Sequence, residues 1–255
     1  MSEARLILGD CLDILPTLAT DSVDIVMTSP PYNTLPTKYA PSGLHGERKK
    51  GINHWLAKAT NGYQDNRPEE EYQDWLCEVI RECCRVARGL VWVNHKVRYR
   101  DGQALHPARF LPFPIYSEVI WNRGGSMALN CRRYAPSHEC LLGFGQPHWW
   151  NDDLNGRMSV WAINPQQSHD HPCPFPIEMA RRPILSSCPP GGTVLDPFMG
   201  SGTTAIACIQ TGRNFLGVEI DPAYHAIARK RLAEVDGPLF PFEPSLFPDP
   251  AEVPS

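Results

Sequence analysis

Helical and extended sequence patterns alternate through the C-terminal part of the chain. Between residues 171 and 235, three helical stretches are separated by two short apolar runs, TVLDPF and NFLGVEI. Such alternation predicts an α/β fold, with a mostly parallel sheet and helices on both faces. Other apolar runs extend the pattern, and the two nearest the N-terminus are typical of strands buried on both faces. These runs are 4–9, 23–28, 90–94, 117–121 and 139–144.

Length and composition limit the class of protein. A chain of 255 residues predicts one large domain with its own core. No apolar run approaches the ~18 residues that a membrane-spanning helix needs, and the N-terminus lacks the pattern of a secretory signal. Nine cysteines without a C-x-x-C pair argue against a disulfide framework or a zinc ribbon. We therefore expect a cytoplasmic protein with reduced thiols and no membrane partner.

Charge and order vary along the chain. The net charge is −4, so any contact with nucleic acid must come from local basic patches. Residues 35–68 lack a clear period and carry an excess of basic side chains, which predicts a mobile basic loop or an idle solvated one. From Arg81 to Arg133 there are ten basic residues and three acidic ones. Residues 146–170 are typical of a short linker, and the proline-rich acidic tail at 236–255 is predicted to be disordered.

A glycine-rich string follows the first of the two C-terminal apolar runs. Asp196 ends that run, and Gly200 and Gly202 in DPFMGSGTT let the backbone turn tightly and approach a ligand closely. An acid at the strand end could accept a hydrogen bond from a cationic amine. Glu219 ends the next strand, about twenty residues later, where nucleotide-binding α/β sheets place an acid for ribose hydroxyls. The string lacks the lysine of a phosphate-binding loop, so the pair predicts a nucleoside-like ligand.

A second string, TSPPYN, follows the apolar run at 23–28. Two consecutive prolines fix the backbone, so the hydroxyl of Ser29, the carbonyl of Pro30 and the ring of Tyr32 are held around one point. This combination suits an exocyclic amino group on a flat ring, which donates two hydrogen bonds and stacks on an aromatic side chain. Considered alone, such a string is more often an ordinary turn after a strand.

Together, TSPPYN, DPFMGSGTT and GVEID resemble the DNA amino-methyltransferases, which transfer a methyl group from S-adenosylmethionine to N4 of cytosine or N6 of adenine. The resemblance extends over residues 4–235 and places the catalytic string before the cofactor loop, as in the permuted β group of that family. It implies a Rossmann-like methyltransferase fold with a seven-stranded, mostly parallel sheet, one antiparallel strand and helices on both faces. It also implies a catalytic domain at 1–235, with 146–170 as a short target-recognition segment.

The resemblance also implies roles for individual residues. Ser29, Pro30 and Tyr32 correspond to the catalytic motif, which Pro31 and Asn33 shape. Among the cofactor contacts, Glu219 would meet the ribose. The residues implied to contact S-adenosylmethionine are Asp10, Cys11, Pro176, Asp196, Pro197, Phe198, Gly200, Ser201, Gly202, Thr203, Glu219 and Ile220. Methyl transfer needs no metal ion, so no metal site is expected.

The target base is left open by the resemblance. Serine at the first motif position usually accompanies cytosine N4, and aspartate accompanies adenine N6. We therefore expect N4 of cytosine, with adenine N6 as the alternative and a catalytically silent DNA-binding relative as a more distant one. The residues expected to contact double-stranded DNA are Arg48, Lys49, Lys50, Arg123, Arg132 and Arg133. A homodimer and a cognate restriction endonuclease are the further partners that the family suggests.

Overall fold

Helices and strands alternate along the part of the chain that the structure describes. A computed structural model gives the placement of residues 2–33, 67–125, 132–165 and 175–235. In chain order its strands and α-helices are β1 Ala4–Leu8, α1 Cys11–Ile14, β2 Ile25–Thr28, α2 Glu69–Val86, β3 Val91–His95, β4 Arg98–Arg100, β5 Gln103–Leu105, β6 Ile115–Asn122, β7 His138–Phe144, β8 Val160–Ala162, α3 Ile177–Ser187, β9 Thr193–Asp196, α4 Thr203–Gln210, β10 Asn214–Glu219 and α5 Pro222–Ala233.

Eight of the described strands form one sheet, in the order β1-β10-β9-β2-β3-β7-β6-β8. Only β7, among these strands, runs antiparallel to its neighbours β3 and β6. The mostly parallel sheet with one antiparallel strand is therefore confirmed, whereas the expected number of seven strands is corrected to eight. The additional strand, β8, pairs with β6 at the edge of the sheet, inside the segment that we expected to be a linker. Three residues are too few to show a strand period, so the sequence pattern did not indicate it.

The two N-terminal strands differ in burial. All four residues of β2 are buried, as the apolar run predicted. The same prediction is wrong for β1, where Leu8 is 49% exposed. The reason is position, because β1 lies at the end of the strand order and pairs with β10. An edge strand has a neighbour on one side and less cover from helices.

Apolar clusters cover both faces of the sheet. On one face, Val26 and Leu195 pack with the buried stripe of α2, which includes Leu76 and Ile80. On the other face, Ile25 and its neighbours pack with residues of α3 and α4. Successive residues of β2 thus point to opposite faces, as the pleat of a strand requires. None of the described helices is long and apolar enough to cross a membrane.

One edge of the sheet collects the polar ends of several strands. The parallel strands β10, β9 and β2 end at Glu219, Asp196 and Thr28. β7 runs the opposite way, so its beginning reaches the same edge, where Cys140 pairs with His95 of β3. In open α/β sheets this carboxyl edge is where ligands bind. The fold therefore brings both sequence strings to one place.

Candidate active site

The glycine-rich string forms the turn between β9 and α4. Gly200 and Gly202 have backbone φ angles of 53° and 84°, in the left-handed region that favours glycine. A Cβ atom on Gly202 would lie 3.1 Å from the Cβ of Ala228, so α5 packs closely against this turn. Arg231 also secures it, since its Nη1 donates to the carbonyl oxygen of Ser201 at 2.7 Å and to its Oγ at 2.9 Å.

Glu219 lies directly beside that turn. Its Oε2 accepts a hydrogen bond from the backbone N–H of Gly200 at 2.8 Å, and its Oε1 accepts one from the N–H of Asp221 at 2.8 Å. Burial raises the pKa of the Glu219 carboxyl, although these backbone bonds act in the opposite direction. Carboxylate oxygens accept more than one hydrogen bond, so hydroxyl donors of a ligand would stabilise the charge. The next residue, Ile220, leaves 38% of its surface exposed.

Asp10 joins the same edge from β1. The N–H of Gly9 donates to the carbonyl oxygen of Glu219 at 2.9 Å, which places Asp10 next to the end of β10. The Asp10 side chain accepts from the N–H of Leu12 at 2.9 Å and caps α1. Two carboxylates, a glycine turn and an exposed aliphatic side chain suit ribose hydroxyls and an adenine ring. This group of residues therefore fits S-adenosylmethionine.

Asp196 connects the glycine turn with the TSPPYN string. Its Oδ1 accepts from Thr28 Oγ1 at 2.7 Å and from the N–H of Phe198 at 3.1 Å. Its Oδ2 accepts from Thr204 Oγ1 at 2.6 Å. Burial raises the pKa of Asp196 to about 6, against the effect of these donors. The carboxyl group is thus an internal link, and its expected bond to a cationic amine stays a prediction.

A hydrogen-bonded cluster surrounds the phenol of Tyr32. Ser29 Oγ lies 2.9 Å from Tyr32 Oη, which donates to Glu139 Oε2 at 3.0 Å. Asn94 Nδ2 donates to both Tyr32 Oη and Glu139 Oε2, each at 2.8 Å. Arg123 Nη1 pairs with Glu139 Oε1 at 2.8 Å. Burial, followed by the charge of Glu139, raises the pKa of Tyr32 well above its usual range, so the phenol keeps its proton.

Side chains of α2 and β3 contact the TSPPYN string next to its two prolines. Tyr72 Oη donates to the carbonyl oxygen of Pro31 at 2.8 Å and lies 2.8 Å from His95 Nε2. The His95 ring lies 4.9 Å from the ring of Tyr32, measured between centroids. Burial lowers the pKa of His95 to about 3. Asn33, the last residue of the string, has a left-handed backbone with a φ of 54°.

The other expected residues occupy varied positions. Cys11 is buried at the start of α1, and Pro176 precedes α3. Of the basic residues, Arg132 is exposed and the Arg133 guanidinium lies 3.9 Å from the ring centroid of Tyr99. Arg123 forms an ion pair with Glu139 through Nη1. The expected contacts Arg48, Lys49 and Lys50 lie outside the described residues, as do most of the 35–68 loop and the 236–255 tail.

Several residues of the site were not identified from the sequence. Glu139, Asn94, Tyr72 and His95 all contact the TSPPYN string or its phenol. The available signal was a buried glutamate at the start of the apolar run HECLLGF. A carboxylate rarely occupies such a position unless it is paired, so Glu139 could have been singled out.

Comparisons with known proteins identify relatives of this chain. A family model described as "DNA methylase" matches residues 23–230. The type II methyltransferase M.BglII of Bacillus subtilis is 29% identical over 269 residues, covering 88% of this chain and 68% of that protein. The DNA adenine methyltransferase YhdJ of Escherichia coli is 26% identical over 269 residues, covering 91% of this chain and 83% of that protein.

Solved structures share the fold. The cytosine-N4-specific PvuII DNA methyltransferase has a TM-score of 0.67 at 19% identity, covering 91% of this chain and 86% of that one. A Thermus thermophilus protein, TTHA0409, was solved in complex with S-adenosyl-L-methionine. It has a TM-score of 0.60 at 25% identity, covering 91% of this chain and 95% of that one.

Proposed function

We propose that this chain, which belongs to the DNA methylase family, transfers a methyl group to the exocyclic amine of a base in double-stranded DNA. Its cofactor is S-adenosylmethionine, as in solved relatives. When bound, this cofactor supplies a methyl group that is already activated as a sulfonium. The proposal assigns the catalytic domain to residues 1–235.

The hydrogen bond between Thr28 and Asp196 is the observation on which the proposal mainly depends. It joins the strand before TSPPYN to the strand before the glycine turn, so a ligand on the turn would face Ser29 and Tyr32. An amine and a methyl donor react efficiently when they are held in line at roughly 3–3.5 Å. Because both strings lie at the same edge of the sheet, an amine and a methyl donor bound there can be held in line.

We assign the amine to the groups of the TSPPYN string. Ser29 Oγ and the Pro30 carbonyl would accept its two N–H bonds, and Tyr32 would stack on the base. Such acceptors draw the nitrogen out of conjugation with the ring and stabilise the positive charge that develops on it. The base must leave the duplex to reach this point, at a cost of a few kcal/mol.

N4 of cytosine is the proposed target, with N6 of adenine as the second candidate. Ser29 at the first motif position supports cytosine, as does the structural likeness to a cytosine-N4-specific enzyme. A relative described as a DNA adenine methyltransferase supports the alternative. The identity of the methylated nucleoside separates the two.

The decisive experiment supplies radiolabelled S-adenosylmethionine and DNA, followed by digestion to nucleosides. Label that co-migrates with N4-methylcytosine is expected, whereas label in N6-methyladenine would reassign the base and keep the enzyme class. Tyr32→Ala should lose turnover and keep its affinity for the cofactor. Absence of transfer by the wild type would favour the catalytically silent DNA-binding relative.

A second experiment addresses the DNA sequence that the protein recognises. Sequencing the methylome of a methylation-free bacterial strain that expresses the chain would identify this recognition site.

Contacts with DNA are proposed to come from basic side chains that include Arg132 and Arg133. Such contacts displace counterions from the phosphates, so affinity should fall steeply as salt rises. An affinity that stays flat between low and moderate salt would contradict this assignment. A homodimer and a cognate restriction endonuclease stay predictions of the family resemblance.

A further inference from the structure

We infer that Glu139 is a positioning residue that makes the Ser29 hydroxyl a proton acceptor and receives, through Tyr32, the proton that the target amine loses. This inference rests on the proposed function. Three side chains form one continuous path: Ser29 Oγ to Tyr32 Oη at 2.9 Å, and Tyr32 Oη to Glu139 Oε2 at 3.0 Å. A serine hydroxyl is a weak base by itself, so a carboxylate at the end of the path supplies the missing basicity.

The direction of each hydrogen bond follows from counting protons. Arg123 pairs with Glu139 as a carboxylate, and a carboxylate only accepts hydrogen bonds. The single hydroxyl proton of Tyr32 is therefore directed to Glu139. Asn94 Nδ2 also donates to the Tyr32 oxygen, so the bond from Ser29 must use the proton of Ser29. The lone pairs of Ser29 Oγ are then left to accept an N–H of the target amine.

The buried position of Glu139 supports this role. Its side chain is 7% exposed, whereas Arg123 is 39% exposed, so solvent reaches the pair from the arginine side. The raised pKa of Tyr32 keeps the phenol protonated, and a proton can pass along it only if one leaves as another arrives. Asn94 Nδ2 donates hydrogen bonds to the two oxygen atoms between which the proton moves, at 2.8 Å to Tyr32 Oη and 2.8 Å to Glu139 Oε2.

Protons and charges balance when methyl transfer uses these residues. The amine nitrogen forms a bond to the methyl carbon as the bond between that carbon and the sulfonium sulfur breaks, and the electron pair stays on sulfur. The nitrogen then carries the positive charge and gives a proton to Ser29 Oγ. Ser29 passes its own proton to Tyr32, and Tyr32 passes its proton to Glu139. A carboxylate and a sulfonium are thus replaced by a carboxylic acid and a thioether, so the net charge does not change.

Glu139→Gln is the principal test, because glutamine keeps the size and an acceptor for Tyr32 but is not a base. Methyl transfer is measured in a single turnover at saturating cofactor and DNA, across a range of pH. We expect a loss on the order of 10²-fold, the lower range for removal of a general base. The affinity for S-adenosylmethionine, measured by calorimetry, should stay within about twofold of the wild-type affinity. Tyr32→Phe interrupts the same path and serves if Glu139→Gln folds poorly.

The pH profile separates a proton acceptor from a structural residue. The charged and titratable groups near Glu139 include Arg123, directly after β6, and Tyr32, which has Lys96 over its ring. They also include its β7 neighbours His138 and Cys140, and His95, which pairs with Cys140 from β3. Burial raises the pKa of Cys140 to about 12, so that thiol stays neutral. We expect the pH dependence of the single-turnover rate to differ between the wild type and Glu139→Gln, because glutamine cannot accept the proton.

An infrared difference spectrum of the protein without cofactor gives a reading that is independent of activity. The wild type should show a carboxylate band that Glu139→Gln lacks, as the ion pair with Arg123 requires. Glu82→Gln is the matched control, because it breaks a carboxylate–arginine pair with Arg85 away from the site and should change neither the rate nor its pH dependence. A Glu139→Gln enzyme with the wild-type rate and pH dependence would overturn the relay and leave the proposed function intact. A wild type that transfers no methyl group would overturn both.

Discussion

Thr28 Oγ1 donates a hydrogen bond of 2.7 Å to Asp196 Oδ1, across 168 positions of sequence. Both residues are buried, and each is the last residue of its strand. The same carboxyl group accepts from Thr204 and from the N–H of Phe198. Any change at Thr28 therefore acts on the glycine turn as well as on the TSPPYN string that follows it.

Thr28→Val should weaken cofactor binding as well as stability. Valine has nearly the shape of threonine but no hydroxyl, so Asp196 Oδ1 loses the side-chain donor Thr28 in the buried site. Loss of such a bond costs about 1–3 kcal/mol. Urea unfolding should register this cost, and calorimetry should show a several-fold rise in the Kd of S-adenosylmethionine.

Thr211→Val is the control for that experiment. Thr211 also has a buried hydroxyl, which donates to the carbonyl oxygen of Ala207 at 2.7 Å, but it lies at the far end of α4. It should lower stability by a similar amount and leave the Kd unchanged. Equal losses of cofactor affinity in the two variants would show that the Thr28–Asp196 bond does not couple the strings.

Gly202→Ala should disturb the glycine turn sterically. The new Cβ would lie 3.1 Å from the Cβ of Ala228, at a φ of 84°. The backbone penalty alone is about 1–2 kcal/mol. Gly212→Ala carries a similar φ of 74° with nothing within 4 Å, so it reports that penalty alone. Thermal unfolding and cofactor binding should both be more impaired at Gly202, and identical effects at the two positions would contradict close packing of α5 on the turn.

Tyr72→Phe should reduce methyl transfer more than cofactor binding. It removes the donor to the Pro31 carbonyl and the partner of His95 Nε2, and buried polar groups left unpaired cost about 1–3 kcal/mol. Single-turnover rates should fall while the Kd of S-adenosylmethionine is kept. Tyr116→Phe, at a tyrosine that is 49% exposed, should be neutral. A Tyr72→Phe protein with the wild-type rate would show that TSPPYN holds its shape without this support.

Acidification should destabilise the protein through His95. Burial lowers its pKa to about 3 from an ordinary 6.5, so between these values the unfolded chain binds a proton that the folded chain does not. The stability that His95 contributes above pH 6.5 is therefore lost as pH falls toward 3, by about 1 kcal/mol for each pH unit. Asp196 acts oppositely, because its pKa of about 6 gives stability below pH 4 that is lost as pH rises.

Urea unfolding of the wild type and His95→Gln between about pH 4 and 7 isolates the histidine. Asp196 is present in both proteins, so the difference between their stabilities reports His95. That difference should shrink in favour of the variant as pH falls. A difference that stays constant across the range would contradict a neutral, buried imidazole.

The residues predicted from the sequence share one property, which is that their signal is local. Gly200 and Gly202 lie in one turn, and Ser29 and Tyr32 lie in one string, so adjacent letters were enough. The α/β order was also predictable, because the elements from α3 to α5 follow one another without interruption. The role of each string, in contrast, was predicted only from the resemblance of TSPPYN, DPFMGSGTT and GVEID taken together.

The residues that were missed depend on how distant strands are ordered. Glu139 reaches Tyr32 across 107 positions because β7 is antiparallel and starts at the carboxyl edge. Asn94 and His95 end an apolar strand, where the pattern indicated only core. The exposure of Leu8 likewise depends on which strand lies at the edge. No local period contains that information, because pairing partners are fixed only when the sheet assembles.

The pairing of β1 with β10 has a consequence for how the protein is made. β1 is synthesised long before β10, and Ala4 finds its neighbour only when Phe215 has been synthesised. Loops that long close slowly and late, so β1 lacks this partner until the residues between the two strands have been made. Asp10 and Glu219, the two carboxylates proposed to meet the cofactor, are brought together by this pairing, so the proposed cofactor site is completed only after β10 has been made.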